Sequence, residues 1–266
     1  MISTLCFFGG FAHALLALRA GKYLRRWWKM PLMIAGFALQ SAFLYLRGAE
    51  HGRCPITNLF EILIFVGWSA ALLYFMIGSV YRLSLLGMFT APLVFIFQAV
   101  ALAMPALDKP TAKAAPGTVD PWLEMHASVS LLAYGAFAMT VRTAIMYLLQ
   151  DRQLKKRNLK TLFYALPPIN YLGKANFRLI AFGFTLLTLG IASAYFMKEK
   201  PGGLKLALTW AVWALYAGVL ISSVLRSYSP RRIAAASALA FLLPVITLGV
   251  ISGKPHPPEN PPVSQP

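Results

Sequence analysis

Eight stretches of the chain stay apolar for long enough to cross a bilayer: roughly residues 2–18, 31–47, 59–81, 83–104, 122–149, 178–197, 204–225 and 233–252. Short polar or basic loops separate them. The pattern predicts an all-α, polytopic membrane helix bundle of about eight transmembrane helices, a single domain over residues 1–252. Residues 253–266, GKPHPPENPPVSQP, hold six prolines and no apolar run, and are expected to form an extended, solvated tail. In the first segment the basic cluster follows the apolar run instead of preceding it. That order predicts a retained span with its C-terminal end in the cytoplasm, not a cleaved signal peptide.

Composition sharpens the class. Of 266 residues, 58% are hydrophobic and only 12% charged, with a mean hydropathy of +0.63. A soluble domain does not carry that much apolar surface on so few charges. No polar stretch is long enough to build a second core. The net charge of +17 would ordinarily raise nucleic acid as a partner, but the cations sit in short loops beside apolar segments. Membrane lipid is the expected partner, and nucleic acid is not.

Alternate loops sort the cations. Sixteen of the 25 lysines and arginines fall on one side, in the loops after segments 1, 3, 5 and 7. Seven fall on the other, and Arg142 and Lys205 lie within segments. The positive-inside rule then predicts both termini on the outer face of a cell (inner) membrane protein.

Candidate chemistry concentrates in Trp122–Tyr134, WLEMHASVSLLAY, which opens a long apolar segment at an expected membrane surface. Trp122 stands at the lip and Glu124 and His126 follow within a turn. Ser130 and Tyr134 continue the histidine's face. A histidine just inside the bilayer on such a stripe reads either as a ligand or proton site, or as an interfacial imidazole bonded to a loop carbonyl. Asn58 and Glu61 stand three apart where a loop enters a helix, the spacing of a capping box; proton relay is the other reading of Glu61. Trp68 shares its face.

The remaining histidines are less distinctive. His13 lies mid-segment among apolar residues, as a buried hydrogen-bonding imidazole or a ligand. His51 is expected in a solvated outer loop. His256, shortly after the last span, is expected on the same side as His126, where the two could form an axial pair on one iron. Arg142 is expected to reach the inner surface as an anchor. Cys6 and Cys54 both fall toward the outer face, within reach of a disulfide, and neither belongs to a CxxC or CxxCH motif. No phosphate-binding loop, HExxH or GxSxG occurs. With 8 acidic residues, nearly all in loops or at segment ends, an acidic cation relay is poorly supported.

Three stretches together resemble the cytochrome c assembly family, the CcsA/HemX-like haem-handling membrane proteins. Gly36–Trp68 is similar to the family's G-x-x-P-[IL]-[ST]-N-x-[YF]-E-x-L segment. Trp122–Tyr134 resembles its W-L-x-x-H-[VA]-S-x-x-x-x-x-Y helix. Gly183–Ser193, GFTLLTLGIAS, with Thr209, Trp210 and Tyr216, completes the set in family order. The resemblance implies a protein that holds haem at the outer face and passes it to apocytochrome c, alongside other cytochrome c maturation proteins. It makes His126 an axial iron ligand and His256 its partner; if haem is held there, outer-loop Arg53 is the candidate to pair a propionate, and Trp122 is a further cofactor-binding candidate.

Two departures narrow that reading. The Trp-rich loop of the family's haem-cradling members is replaced by Lys198-Glu199-Lys200-Pro201-Gly202-Gly203, and Gly218 stands where those members carry a later histidine. Both point away from a complete haem ligase, toward an accessory of the shorter HemX-like branch. The alternative is a membrane scaffold or regulatory subunit that binds no haem and recruits partners through residues 152–178. A small-molecule transporter, with Pro92 and Pro244 marking mobile spans, is a third reading.

Overall fold

The computed structural model describes residues 2–20, 29–81, 86–108, 119–155, 168–198, 202–225 and 228–252. Among these lie nine α-helices and no strand: α1 (Ile2–Ala20), α2 (Lys29–His51), α3 (Leu59–Tyr81), α4 (Leu86–Ala103), α5 (Pro121–Lys155), α6 (Ile169–Ala194), α7 (Gly203–Val224), α8 (Pro230–Ala240) and α9 (Leu242–Ser252). A 3-10 turn, Pro105–Leu107, follows α4. Six stretches are long and apolar enough to cross a membrane, the last running from α8 into α9 over Pro230–Thr247. Helices α1 and α4 carry shorter apolar runs, Ile2–His13 and Thr90–Ala103. The protein is a helical membrane bundle, the form in which each apolar segment satisfies its own backbone donors and acceptors.

Helix α5 is the axis of the bundle. It packs on α3, α6 and α8, while α2 and α4 pack on α3, and α1 packs on α2 and α4. One core joins Phe7, Leu73, Val94, Met139, Met146 and Leu172. A second joins Phe137, Ile180, Leu187, Val212 and Tyr216, where the rings of Phe137 and Tyr216 stack with centroids 3.6 Å apart. Leu5, Ile34, Ile145, Leu189, Ile221 and Leu239 point outward and exposed, the face a bilayer would cover. One buried polar chain links three helices: Thr143 donates to Asn176 Oδ1 at 3.0 Å, and Asn176 Nδ2 donates to Ser237 at 3.2 Å.

The final apolar segment forms one span, as expected, over Pro230–Thr247, but it is not one continuous helix. It breaks at Phe241 into α8 and α9, because Pro244 has no N–H to offer the carbonyl of Ala240 four residues earlier. Pro92, by contrast, is carried inside α4 without ending it. Arg142 also departs from expectation. It is buried and donates to Thr90 Oγ1 across the bundle. Helix α5 runs thirteen residues beyond it to Lys155, about 20 Å of helix, so the Arg142 guanidinium is held inside the bundle well short of the helix end.

Candidate functional site at the start of helix 5

Asp120 and Pro121 set the start of α5. Proline at the first helical position has the right φ and loses no bonded donor. Asp120 Oδ1 accepts the Trp122 amide at 3.0 Å, and Oδ2 accepts the Lys198 amide at 2.8 Å. The Lys198 amide, with the Trp122 amide adding to it, holds the Asp120 carboxyl below the usual carboxylate range. The same tether brings the chain after α6 over the start of α5, where Trp122 stacks on Phe196 at 4.8 Å.

His126 sits one turn further in, half-buried. Its Nδ1 lies 2.6 Å from the carbonyl oxygen of Gly190, in the last turn of α6. A carbonyl only accepts, so Nδ1 carries the proton and Nε2 of the neutral ring keeps its lone pair. Gly190 permits the approach: a Cβ there would stand 2.4 Å from Ser130 Oγ and 3.4 Å from Ser130 N. Sequence spacing left His126 between ligand and carbonyl-bonded imidazole, and the structure gives it the carbonyl bond on one nitrogen while leaving the other available.

Glu61 lies nearby on the entry to α3, fully buried. Asn58 Oδ1 accepts the Glu61 amide at 2.9 Å, as the capping box predicts. The return bond is displaced by one residue: Glu61 Oε2 accepts from the amide and hydroxyl of Thr57, at 2.8 and 2.7 Å. Its Oε1 accepts from Arg47 Nε at 2.8 Å. Arg47 also bonds Asp108 Oδ1, which receives Asn58 Nδ2 at 3.1 Å. Glu61 is a structural hub with both oxygens committed, and not an open proton carrier. His51 is not a solvated loop residue. It ends α2, buried, with Nε2 3.4 Å from Glu61 Oε1.

Between α2 and α3 the chain turns at Gly52, whose φ of 65° suits glycine. Cys54 follows, its amide donating to Glu124 Oε1 at 2.7 Å and its sulfur receiving the Ser128 hydroxyl at 3.7 Å. Burial pushes the Cys54 thiol up, with Ser128 opposing the shift. Glu124 therefore ties α5 to the 52–58 loop. Cys6 and Cys54 are both free thiols, so the disulfide within reach on sequence grounds is not formed.

Of the other expected site residues, Arg53 stands in the same loop, its amide on the Gly48 carbonyl at 3.2 Å. His13 is half-buried in α1, which packs chiefly on α2 and α4. His256 lies outside the described residues. Trp68 is structural: its Nε1 donates to Ser41 at 2.8 Å, and its ring stacks on Phe37. Sequence reasoning gave no role to Gly190, Arg47, Asp108 or Asp120. An arginine and an aspartate at the edges of apolar segments were the available signal for Arg47 and Asp108; Gly190 carried none beyond its place in a glycine-spaced helix.

The arrangement limits the chemistry. Among the described residues no three His, Cys, Asp or Glu side chains converge as a metal-ion cage. A single oriented imidazole suits a metal that arrives with its other ligands, and beside it is a flat, 42% exposed Trp122.

These features define a polytopic helical membrane protein in which the oriented, half-buried imidazole of His126 stands at the start of α5. The chain belongs to the cytochrome c assembly protein family, which matches it over residues 56–254, a range holding Glu61, Glu124, His126 and Gly190. It is similar to the cytochrome c biogenesis protein CcsA of Guillardia theta, with 30% identity over 221 residues covering 74% of this chain and 73% of the relative. A CcsA from Thermosynechococcus vestitus is 28% identical over 243 residues, covering 76% of each. Protein HemX of Brevibacillus brevis is 28% identical over 160 residues, covering 60% of this chain and 58% of that protein.

Proposed function

We propose that this protein acts in cytochrome c biogenesis as a haem-handling membrane protein, with His126 Nε2 as an axial ligand at the outer face of the inner membrane. The observation that carries the reading is the 2.6 Å contact of His126 Nδ1 with the Gly190 carbonyl. A metal-ligating histidine characteristically donates its other ring nitrogen to a carbonyl or carboxylate, which fixes tautomer and ring plane. When bound, haem supplies an iron that takes axial imidazole, in a porphyrin that can be handed on whole to an apocytochrome. Trp122, stacked on Phe196, offers a flat apolar wall, and Arg53 a guanidinium for a propionate. His256 is the second imidazole proposed. The relatives named for cytochrome c biogenesis support the process, and other maturation proteins are its expected partners.

The test is the absorption spectrum of protein purified from haem-replete cells. A bis-histidine Soret and α/β pattern is expected, weakened in His126→Ala and partly restored by added imidazole. His256→Ala should change the pattern without abolishing Soret absorbance. Colourless wild-type protein that takes up no added hemin would overturn the proposal.

A second reading has its own support. Between α6 and α7 only residues 195–202 connect the helices, too few for an aromatic-rich haem cradle, and HemX is among the relatives. In this reading the chain is a membrane scaffold or regulator that works through partners. Photocrosslinking from positions 152–178 that captures a defined protein, together with a haem-free wild type, would favour it.

A further inference from the structure

At the opposite end of α5 lies a pocket of about 480 Å³ that plays no part in the site above. Tyr147, Asp151 and Lys155 of α5 line one side, and Arg231, Arg232 and Ala235 of α8 the other. Asp151, largely buried, holds two of the cations in place: Lys155 Nζ at 3.0 Å and Arg231 Nε at 3.6 Å from the same carboxylate oxygen. Three cations and one anion line the pocket, so it keeps a net positive charge. Lys155 and Arg231 stay more than half exposed, with N–H groups to spare.

The pocket is not a purely polar site. Leu239 lies four residues beyond Ala235 on α8, hence on the same face, and is 67% exposed. Leu242, at the start of α9, is 57% exposed and continues the apolar surface. Basic groups at the end of membrane-spanning helices, opening onto an apolar outward face, complement a molecule with an anionic head and an apolar tail. This is also the end where the sequence concentrates its lysines and arginines.

We propose that this pocket holds the phosphate headgroup of an anionic phospholipid. Lys155, Arg231 and Arg232 bind the phosphate, Tyr147 offers a hydroxyl, and the acyl chains lie along Ala235 and Leu239. Asp151 is a positioning residue that fixes two of the cations.

The full chain, reconstituted in nanodiscs of mixed phosphatidylcholine and phosphatidylglycerol, is released into native mass spectrometry. Wild type is expected to retain phosphatidylglycerol in preference to phosphatidylcholine. The R231Q/R232Q variant should lose that preference by roughly tenfold or more, and R231K/R232K should keep most of it. Equal melting midpoints of the two variants in detergent control for folding. Equal loss from K174Q/R178Q, on α6 at the same end, would show diffuse surface charge and overturn the pocket. Displacement of the lipid by inorganic phosphate alone would overturn the lipid assignment in favour of a free-anion site. Wild type that retains both lipids equally and instead binds a polyglutamate peptide would overturn it in favour of an acidic protein partner.

Discussion

His126 and Gly190, 64 residues apart in sequence, meet through a 2.6 Å hydrogen bond between an imidazole nitrogen and a helix carbonyl. The bond joins the first turns of α5 to the last turn of α6, and it makes the side chain's chemistry depend on backbone packing. The same carbonyl accepts the Ser193 hydroxyl at 2.7 Å, so His126 shares its acceptor with a side chain of α6.

That dependence predicts a steric mutant with a specific rescue. Alanine at position 190 would favour the helix by about 0.5–1 kcal/mol on propensity alone. Any loss must therefore come from the Cβ, which meets Ser130 Oγ at 2.4 Å. Gly190→Ala should shift the Soret band and weaken haem retention, and Ser130→Ala in the same chain should restore both. A Gly190→Ala protein with the wild-type spectrum would show that the carbonyl does not position His126.

The Glu61 hub predicts a stability hierarchy. Removing one partner of a buried ion pair costs about 3–5 kcal/mol, because the other charge is left uncompensated. Losing a helix cap costs about 1 kcal/mol. Glu61→Ala, which leaves Arg47 with Asp108 alone and strands the Thr57 donors, should lower the melting midpoint in detergent more than Asn58→Ala does. Arg47→Ala should match Glu61→Ala, and the double variant should fall short of the sum. Equal midpoints for the Glu61 and Asn58 variants would reduce Glu61 to an ordinary cap.

Cys54 predicts a pH dependence. Burial favours its neutral thiol, with Ser128 opposing and the Glu124 carboxylate reinforcing the shift. The folded pKa is raised, so this contribution to stability is complete below the ordinary thiol pKa of about 8.5 and is lost as pH rises through the raised value. In a Cys6→Ser background, alkylation of Cys54 should show a rate midpoint above that of a free thiol. Ser128→Ala should move it higher and Glu124→Gln lower. A midpoint at or below the ordinary value would contradict the burial argument.

What the sequence made legible follows from what is local. Apolar run length and capping chemistry are local properties, so the helices and the Asn58–Glu61 cap were readable from spacing. The break at Phe241 was also local, but Pro92 shows why it was not decisive: one proline ends a helix and another is absorbed. Partners across the bundle were not readable. Nothing near Arg142 announces Thr90, and nothing in Arg47 announces both Glu61 and Asp108, because the first pairing arises only when α4 meets α5, and the second only when α2, α3 and the turn after α4 pack together. His126 was legible as a candidate, while the Gly190 carbonyl that orients it required the approach of α6.

Asp120 gives the last prediction, at the lip of the same site. Its carboxylate caps α5 through Trp122 and anchors the chain after α6 through Lys198. The Lys198 amide lowers its folded pKa. A lowered pKa places its stabilising effect above the ordinary carboxylate value of about 3.9, with loss as pH falls through the folded value. Asp120→Asn keeps one acceptor oxygen and so cannot serve both amides as the carboxylate does. At neutral pH the Lys198 amide should be protected from hydrogen exchange in wild type and exchange faster in Asp120→Asn. The acid limb of the wild-type melting profile should flatten in the variant. Equal exchange at Lys198 in the two proteins would mean that Asp120 caps α5 without tethering α6, and that the Trp122–Phe196 stack is held by ring contact alone.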